Sequence, residues 1–567
     1  MMGSPLVLIL LVFGCFQVMN SMPTLEKELL VDEIESDIEL LKRRRNNGQH
    51  SSEEEEEDDE GSLPLSPSGF RYIRGPKNKG DRIVIVGAGP SGVHMALKLK
   101  EEGYSNVVVF EAEEEVGGKS RTLTYRDTPH EMGTCYTQAD YTELYRLLDK
   151  YDAGELRDLP SPTIWTRNQD RLTSLQFTVL PAALSLPPGS SQEDIMNEFT
   201  TAVGKYIAKH FELFGQFEGE LMPRPTDTIL QNELNMTFME FLIRNDADIL
   251  ANFFLQTQTT QGYGHLDEVP ALYGLTWMTP NMILNTLFPP KDEITTLKLL
   301  SRGYQTVWKS IVEQENIDVR LSSPVRKIIR RKKRQVKRKN LSPFVIEYDD
   351  DMANERKRET ADFIVLTPQM KMLSDMDIIK FNDEEENFFS RMNHYYYTTS
   401  LVDTKALNET VRGYSPQSYF SDNIQSKVDG SIWVKRDSFN SLEYVLGENY
   451  TNFQTPGAPD GRYEQTSVYY QYSKGRPDKD VLEKQLRDHI ENREGAEVLN
   501  ILRVMVWDYF PQFSVADIAT GITWDIFDMQ GKYGIWYAGS SVYFESAKSV
   551  LEYNNLIFRQ FASPSSP

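Results

Sequence analysis

Residues 82–111 limit the fold more than any other stretch of this chain. An apolar run, Ile83-Val84-Ile85-Val86, enters Gly87-Ala88-Gly89-Pro90-Ser91-Gly92. A helical pattern follows through Val93, Ala96, Leu97 and Leu99, and a second apolar run, Val107-Val108-Val109-Phe110, ends on Glu111. Strand, glycine turn, helix, strand and acid in that order define a dinucleotide-binding βαβ unit. Gly87 permits the tight turn, Gly89 lets the backbone approach a pyrophosphate, and Gly92 lets helix and strand pack closely. The helix N-terminus turns free N–H groups toward the anion. Glu111 stands where a carboxylate accepts from a ribose hydroxyl.

Shortly after Glu111 the chain reads Val116-Gly117-Gly118-Lys119-Ser120-Arg121-Thr122 and then, past a short strand-turn-strand stretch, Glu131-Met132-Gly133. A nicotinamide enzyme has no need of this second glycine pair. These motifs resemble the glutathione-reductase-like flavoproteins of the amine oxidase superfamily, in which the second glycine loop lies along the phosphates and ribityl chain of FAD. The resemblance implies FAD contacts at Gly118, Lys119 and Gly133. Lys119 stands where that family usually has Arg, so it keeps a cation near the pyrophosphate and loses the bidentate fork. Gly534 to Ser541 resembles the family's closing strand, with Gly539 and Ser540 beside the flavin, and a helix is expected over Glu545 to Leu556. Val319 to Val325, followed by Ala361 to Thr367, is similar to the family's middle segment, in which the amide of Val325 lies against the adenine. The implied fold is α/β: a glutathione-reductase-like Rossmann FAD-binding domain with an inserted mixed α+β substrate domain.

The domain plan follows from these positions. The FAD-binding domain is expected from residues 79–160, 301–371 and 501–562, and the substrate domain from 161–300 and 372–500. Helical periodicity dominates 190–290, and alternation such as Ser467-Val468-Tyr469-Tyr470-Gln471-Tyr472 predicts strands within 390–475. The apolar run Pro5 to Val18 is too short to span a bilayer and precedes small and polar residues, which reads as a secretory signal peptide over 1–22, with an uncleaved anchor as the alternative. Residues 23–78 hold Lys42-Arg43-Arg44-Arg45 and then eight consecutive acids, Glu53 to Glu60. That composition cannot bury enough surface to fold alone, and it is read as a propeptide or a solvated linker. Asn235, Asn340, Asn408 and Asn449 open Asn-x-Ser/Thr sequons, compatible with a secreted glycoprotein. Cys15 leaves with the signal, so Cys135 has no disulfide partner, and no metal-ligand spacing occurs. Arg326 to Lys339 carries ten Lys or Arg in fourteen residues and is expected as a solvated hairpin tip. A net charge of −23 disfavours nucleic acid as a partner, while peripheral contact with lipid stays open.

A finer resemblance is carried by Gly262-Tyr263-Gly264-His265-Leu266-Asp267-Glu268-Val269-Pro270-Ala271, Glu131-Met132-Gly133, Gly303-Tyr304-Gln305 and Met529-Gln530-Gly531. Together they resemble the flavin-dependent polyenoic fatty acid isomerases. The resemblance implies hydride abstraction to flavin N5 from a C–H between two double bonds, with return at another carbon to leave a conjugated acid. Such chemistry needs a dry aromatic tunnel more than acid-base groups. Tyr136 and Tyr263 are the candidate walls. A fatty acid also needs its carboxylate held, and Arg157 and Arg167 are the candidate forks, because the family's anchoring Arg falls on Pro162 here. His265, Asp267 and Glu268 are read as stabilising their loop. Two alternatives remain: an amine or L-amino acid oxidase releasing hydrogen peroxide, and a non-catalytic secreted flavoprotein of the extracellular matrix.

Overall fold

The computed structural model describes residues 70–138, 140–159, 161–168, 170–215, 221–287, 297–339, 341–407, 417–437 and 462–561. The expected signal segment, most of the acidic linker, and Asn340, Asn408 and Asn449 lie outside them. Among the described residues no helix is long and apolar enough to cross a membrane.

Four-residue apolar runs form the centre. Ile83–Val86 pairs in parallel with Val107–Phe110 on one side and Phe363–Leu366 on the other. Asp318–Arg320 and Ile535–Tyr537 complete a five-stranded parallel sheet. Strands covered on both faces carry no alternation, and Ile83, Val84 and Ile85 are accordingly fully buried. Each such side chain contributes about 1.5–3 kcal/mol through removal from water. The helix Pro90–Glu101 packs on this sheet and against Ala547–Gln560. Asn554 Nδ2 donates to the Ser91 carbonyl at 3.0 Å, locking the last helix onto the first. Gln530 clasps the edge strand, donating to the Tyr537 carbonyl and accepting from its amide, at 2.7 and 2.8 Å.

A second, seven-stranded sheet runs in the order Glu497–Gln512, Asn393–Leu407, Arg462–Ser473, Ile432–Asp437, Gln417–Phe420, Thr163–Trp165, Arg171–Thr173. Helices spanning Gln192–Phe214 to Pro280–Leu287 fill the helical region. Residues 501–512, grouped from sequence with the nucleotide domain, instead continue a 16-residue strand paired along Asn393–Leu407. Its apolar and aromatic content suits either sheet, and only the long-range pairing distinguishes them.

The basic tract also differs from expectation. Val325–Arg330 is a strand in a three-stranded antiparallel sheet, and only the connection after it, with a helix at Lys333–Lys339, lies beyond the ladder. Arg326 pairs with Asp349 at 2.7 Å and Lys327 with Asp377 at 2.9 Å. Arg330 forks onto the fully buried Glu385, which also accepts from the Tyr537 hydroxyl. Three of the ten cations are thus engaged by acids from elsewhere in the chain.

Candidate active site

The nucleotide end of the site is made mostly of backbone. Gly89 is the N-cap of Pro90–Glu101, with no side-chain cap and no acid in the first turn, so the first N–H groups of the helix are left for a ligand. Gly118 (φ +51°) lies opposite, and a Cβ built on it would stand 3.1 Å from the Gly89 Cα. Gly92 packs so tightly under Gly87 that a Cβ there would sit 1.9 Å from the Gly87 carbonyl oxygen. The Glu111 carboxylate accepts from the amides of Ala88 at 2.7 Å and Glu113 at 2.9 Å, fixing it at the mouth of the turn, while burial raises its pKa. Ser323, two residues before Val325, donates its amide to the Glu111 carbonyl at 2.8 Å. Gly539 caps the short turn Ser540–Val542 after the closing strand, and Ser541 Oγ accepts from the Met370 amide at 3.2 Å. An uncapped helix end, a glycine-faced slot and a fixed carboxylate fit an adenine dinucleotide.

Lys119 departs from its expected role. Its ammonium donates to Glu545 at 2.6 Å and sits 5.3 Å from the Tyr509 ring centre, so a carboxylate already neutralises the cation expected at the pyrophosphate. Gly133 sits where the next strand meets this loop, with the Thr134 amide donating to the Lys119 carbonyl at 3.0 Å. Gln305 accepts from the Thr122 amide and donates to the Val116 carbonyl, and the Tyr304 amide donates to the Glu131 carboxylate at 2.7 Å. The Gly303-Tyr304-Gln305 motif therefore clamps the second glycine loop.

Beyond Gly133 the site changes from backbone to rings. Trp507 Nε1 and Thr399 Oγ1 both donate to the Met132 carbonyl, at 2.6 and 2.7 Å, joining this segment to the seven-stranded sheet. Tyr136, Tyr263, Tyr397, Tyr419 and Tyr470 are all buried and all within electrostatic reach of the Cys135 thiol, whose pKa burial pushes up. The Tyr263 ring stacks 5.9 Å from Tyr509 and lies 4.7 Å from Phe544. Gly262 (φ +85°) brings its loop flush against the rings of Tyr397 and Tyr509, where a Cβ would stand 2.9 Å from each. His265 packs on Trp433 and Tyr472, and burial lowers its pKa to about 4, leaving it neutral. Asp267 and Glu268 are engaged by Lys427, and Glu268 also by Lys474.

The structure thus brings Tyr136 and Tyr263 to one site, but neither proposed fork. Arg157 is 40% exposed and 3.7 Å from Glu155, and Arg167 lies exposed in the turn between Thr163–Trp165 and Arg171–Thr173. Short-range position after Gly133 was a poor guide, because Arg157 falls on a separate two-stranded ladder with Lys298–Leu300 and Arg167 in a turn at the outer end of the seven-stranded sheet. The buried guanidinium here belongs to Arg436, 4% exposed, which donates to the Glu131 carbonyl at 2.7 Å. The strand Ile432–Asp437 is buried along its whole length, so no exposure pattern marked Arg436, and only the pairing shows that Val434 and Arg436 share a face with Val468 and Tyr470 of the neighbouring strand. Burial raises the nearby Glu131 carboxyl to about 7, against the Tyr304 amide, the charge of Arg436 and the Thr122 hydroxyl.

The family model described as flavin containing amine oxidoreductase matches residues 90–402, and the chain belongs to that family. It is a flavoprotein whose cofactor is FAD. By sequence it is 26% identical over 211 residues to a polyenoic fatty acid isomerase of Ptilota filicina, covering 36% of this chain and 42% of that protein. It is also 26% identical over 232 residues to an L-amino-acid oxidase of Sistrurus catenatus edwardsii, covering 37% and 43%. The match thus spans about two fifths of the length of each relative. The crystal structure of a fatty acid isomerase from P. acnes that produces CLA superposes with a TM-score of 0.66 at 20% identity, covering 86% of this chain and all of that one. The two share a fold: a Rossmann-type nucleotide domain joined to a mixed substrate domain.

Proposed function

We propose that this chain isomerises polyunsaturated fatty acids to conjugated products. One observation carries the reading: the side of the seven-stranded sheet facing Glu131-Met132-Gly133 is walled by buried aromatic rings, and four groups around it that could carry a proton, Lys119, His265, Asp267 and Glu268, are already engaged. Lys119 is held by Glu545, His265 is neutral beneath Trp433, and Asp267 and Glu268 are bound to lysines. Such a site suits a reaction that requires shape and dryness rather than proton transfer. Bound flavin supplies hydride acceptance and return. The chain's own residues hold the acyl chain extended, keep water from the allylic cation, and present ring faces to it. The resemblance to the Ptilota enzyme points the same way. Passage through the secretory pathway belongs to the same proposal and is supported by the apolar leader and the sequons, of which Asn235 is exposed.

The test is anaerobic incubation of the yellow protein with linoleate or arachidonate, following conjugated diene or triene absorbance. Conjugation that persists without oxygen is the expected result. Oxygen-dependent peroxide release from amines or L-amino acids, with no conjugation, would replace this reading by an oxidase. Silence in both assays would leave the non-catalytic flavoprotein.

A further inference from the structure

The tyrosine-lined face holds two buried donors that reach no oxygen or nitrogen acceptor among the described residues and have only the Cys135 thiol beside them. Nη2 of Arg436 is fixed on the Glu131 carbonyl, but Nη1 is buried without a hydrogen-bond partner, and among the described residues no carboxylate lies within ion-pair distance of it. The Tyr470 hydroxyl is likewise buried and unpartnered. The two belong together. Arg436 pairs across the ladder with Val468, two residues from Tyr470 on the same face, and its guanidinium carbon lies 5.5 Å from the Tyr470 ring centre.

Other charges near this pair do not satisfy it. Glu131 is the nearest acid by electrostatic effect, yet one carboxylate oxygen accepts from the Tyr304 amide and the other from the Thr122 hydroxyl. Cys135 sets a thiol beside both donors, but burial keeps it protonated, and a neutral sulfur is a weak acceptor that brings no charge to the guanidinium. Lys435 and Asp437, the chain neighbours of Arg436, turn to other partners, Glu494 and Ser467. A buried guanidinium lacking a bonded anion keeps the desolvation penalty without the offsetting attraction, so its retention calls for an anionic guest. With one arm of the fork held by a carbonyl, the plane of the group is set in advance. The free arm and the phenol then offer two donors, the number a planar carboxylate accepts.

We propose that Arg436 and Tyr470 form the carboxylate-binding site of this protein and position the head group of its substrate. That the carboxylate is a fatty acid's rests on the function proposed above; an amino acid presents the same group, and the test separates the two. The holoprotein is titrated with linoleate, methyl linoleate and L-phenylalanine below micelle-forming concentrations, following tryptophan fluorescence, since Trp433 stacks 4.2 Å from Tyr472 on this sheet.

The unmodified protein should bind linoleate about 100-fold more tightly than its methyl ester, the loss expected when a charge-assisted pair is removed. Arg436→Gln should reduce linoleate binding to the ester's level while leaving ester binding within about threefold, and Tyr470→Phe should cost about tenfold. Equal binding of acid and ester by the unmodified protein would overturn the site, whatever the variants do. So would an acid preference that survives in Arg436→Gln. Arg436-dependent binding of linoleate without conjugated product would keep the site and remove the isomerase. Arg436-dependent binding of L-phenylalanine alone would keep the site and exchange its guest.

Discussion

The two sheets of this molecule hold their guests with different parts of the polypeptide. Around the parallel sheet the work falls to main chain: the open N-terminus of Pro90–Glu101, the slot between Gly89 and Gly118, and a Glu111 carboxylate gripped by two amides. Around the seven-stranded sheet it falls to side chains drawn from several strands, with Tyr397, Tyr419, Arg436 and Tyr470 meeting on one face. A main-chain site requires particular glycines at particular spacing and tolerates little else. A side-chain site requires only that something of suitable shape and charge arrive, from whichever strand is close. The first kind suits a cofactor shared by a whole family, and the second a substrate that differs between members.

The sharpest way to break this contrast is at two of the three glycines of the first turn, Gly89 and Gly92. Gly89→Val should fold, because a Cβ there meets nothing of the protein nearer than the Gly118 Cα at 3.8 Å. Its methyl groups would enter the space ahead of the uncapped helix, and the purified protein should lose its flavin absorbance entirely while keeping its melting transition as an apoprotein. Gly92→Val should do the reverse kind of damage. Its Cβ would fall on the Gly87 carbonyl oxygen, and forcing the helix from the strand should cost about 3 kcal/mol or more, read as lost soluble yield or a lowered Tm. A yellow Gly89→Val protein would show that the pyrophosphate does not cross this turn.

The same contrast explains what could be read in advance. The βαβ unit, the second glycine loop and the closing strand were legible because their geometry is local and written in glycine. The substrate face was legible only as alternation, because a strand's neighbours are set by pairing across the whole chain, and Glu497–Gln512 shows how readily a strand is credited to the wrong sheet. Arg436 was hidden by its context. Lys435, Arg436 and Asp437 are three charged residues in a row, a composition typical of solvent-facing chain, yet all three are buried, since the sheet is covered on both faces by residues distant in sequence. Lys119 shows the converse: position identified the residue but not the ion pair with Glu545 that occupies it.

Glu131 joins the two halves, its carboxylate held by Tyr304 and Thr122 and its carbonyl by Arg436, and it should give a smaller but measurable effect. Burial raises this carboxyl from 4.5 to about 7, so the native state binds its proton more tightly than the unfolded chain does. The stabilisation from this group is then complete below about pH 4.5 and is lost as pH rises through about 7. Gln imitates the protonated acid and can still accept from the Tyr304 amide. The stability of Glu131→Gln relative to the parent should therefore improve by about 2 kcal/mol between pH 5 and pH 8, measured by urea unfolding at both. A difference independent of pH would mean that the acid titrates normally and the seam is wetter than its burial implies.

The smallest expected change tests how the substrate face works. The Tyr397 hydroxyl donates to the Thr260 carbonyl at 2.7 Å, and its ring packs 5.6 Å from both Tyr470 and Tyr509. Tyr397→Phe removes one buried hydrogen bond and keeps the wall, so stability should fall by about 1 kcal/mol and the rate of conjugation should stay within about threefold of the parent. Ring and hydroxyl make opposite predictions here. If the face acts by excluding water and shaping the acyl chain, the ring suffices; if the phenol moves a proton, its loss should cost 10²-fold or more. A collapse of that size in Tyr397→Phe, with the flavin spectrum unchanged, would place acid-base chemistry on this sheet and favour an oxidase over an isomerase.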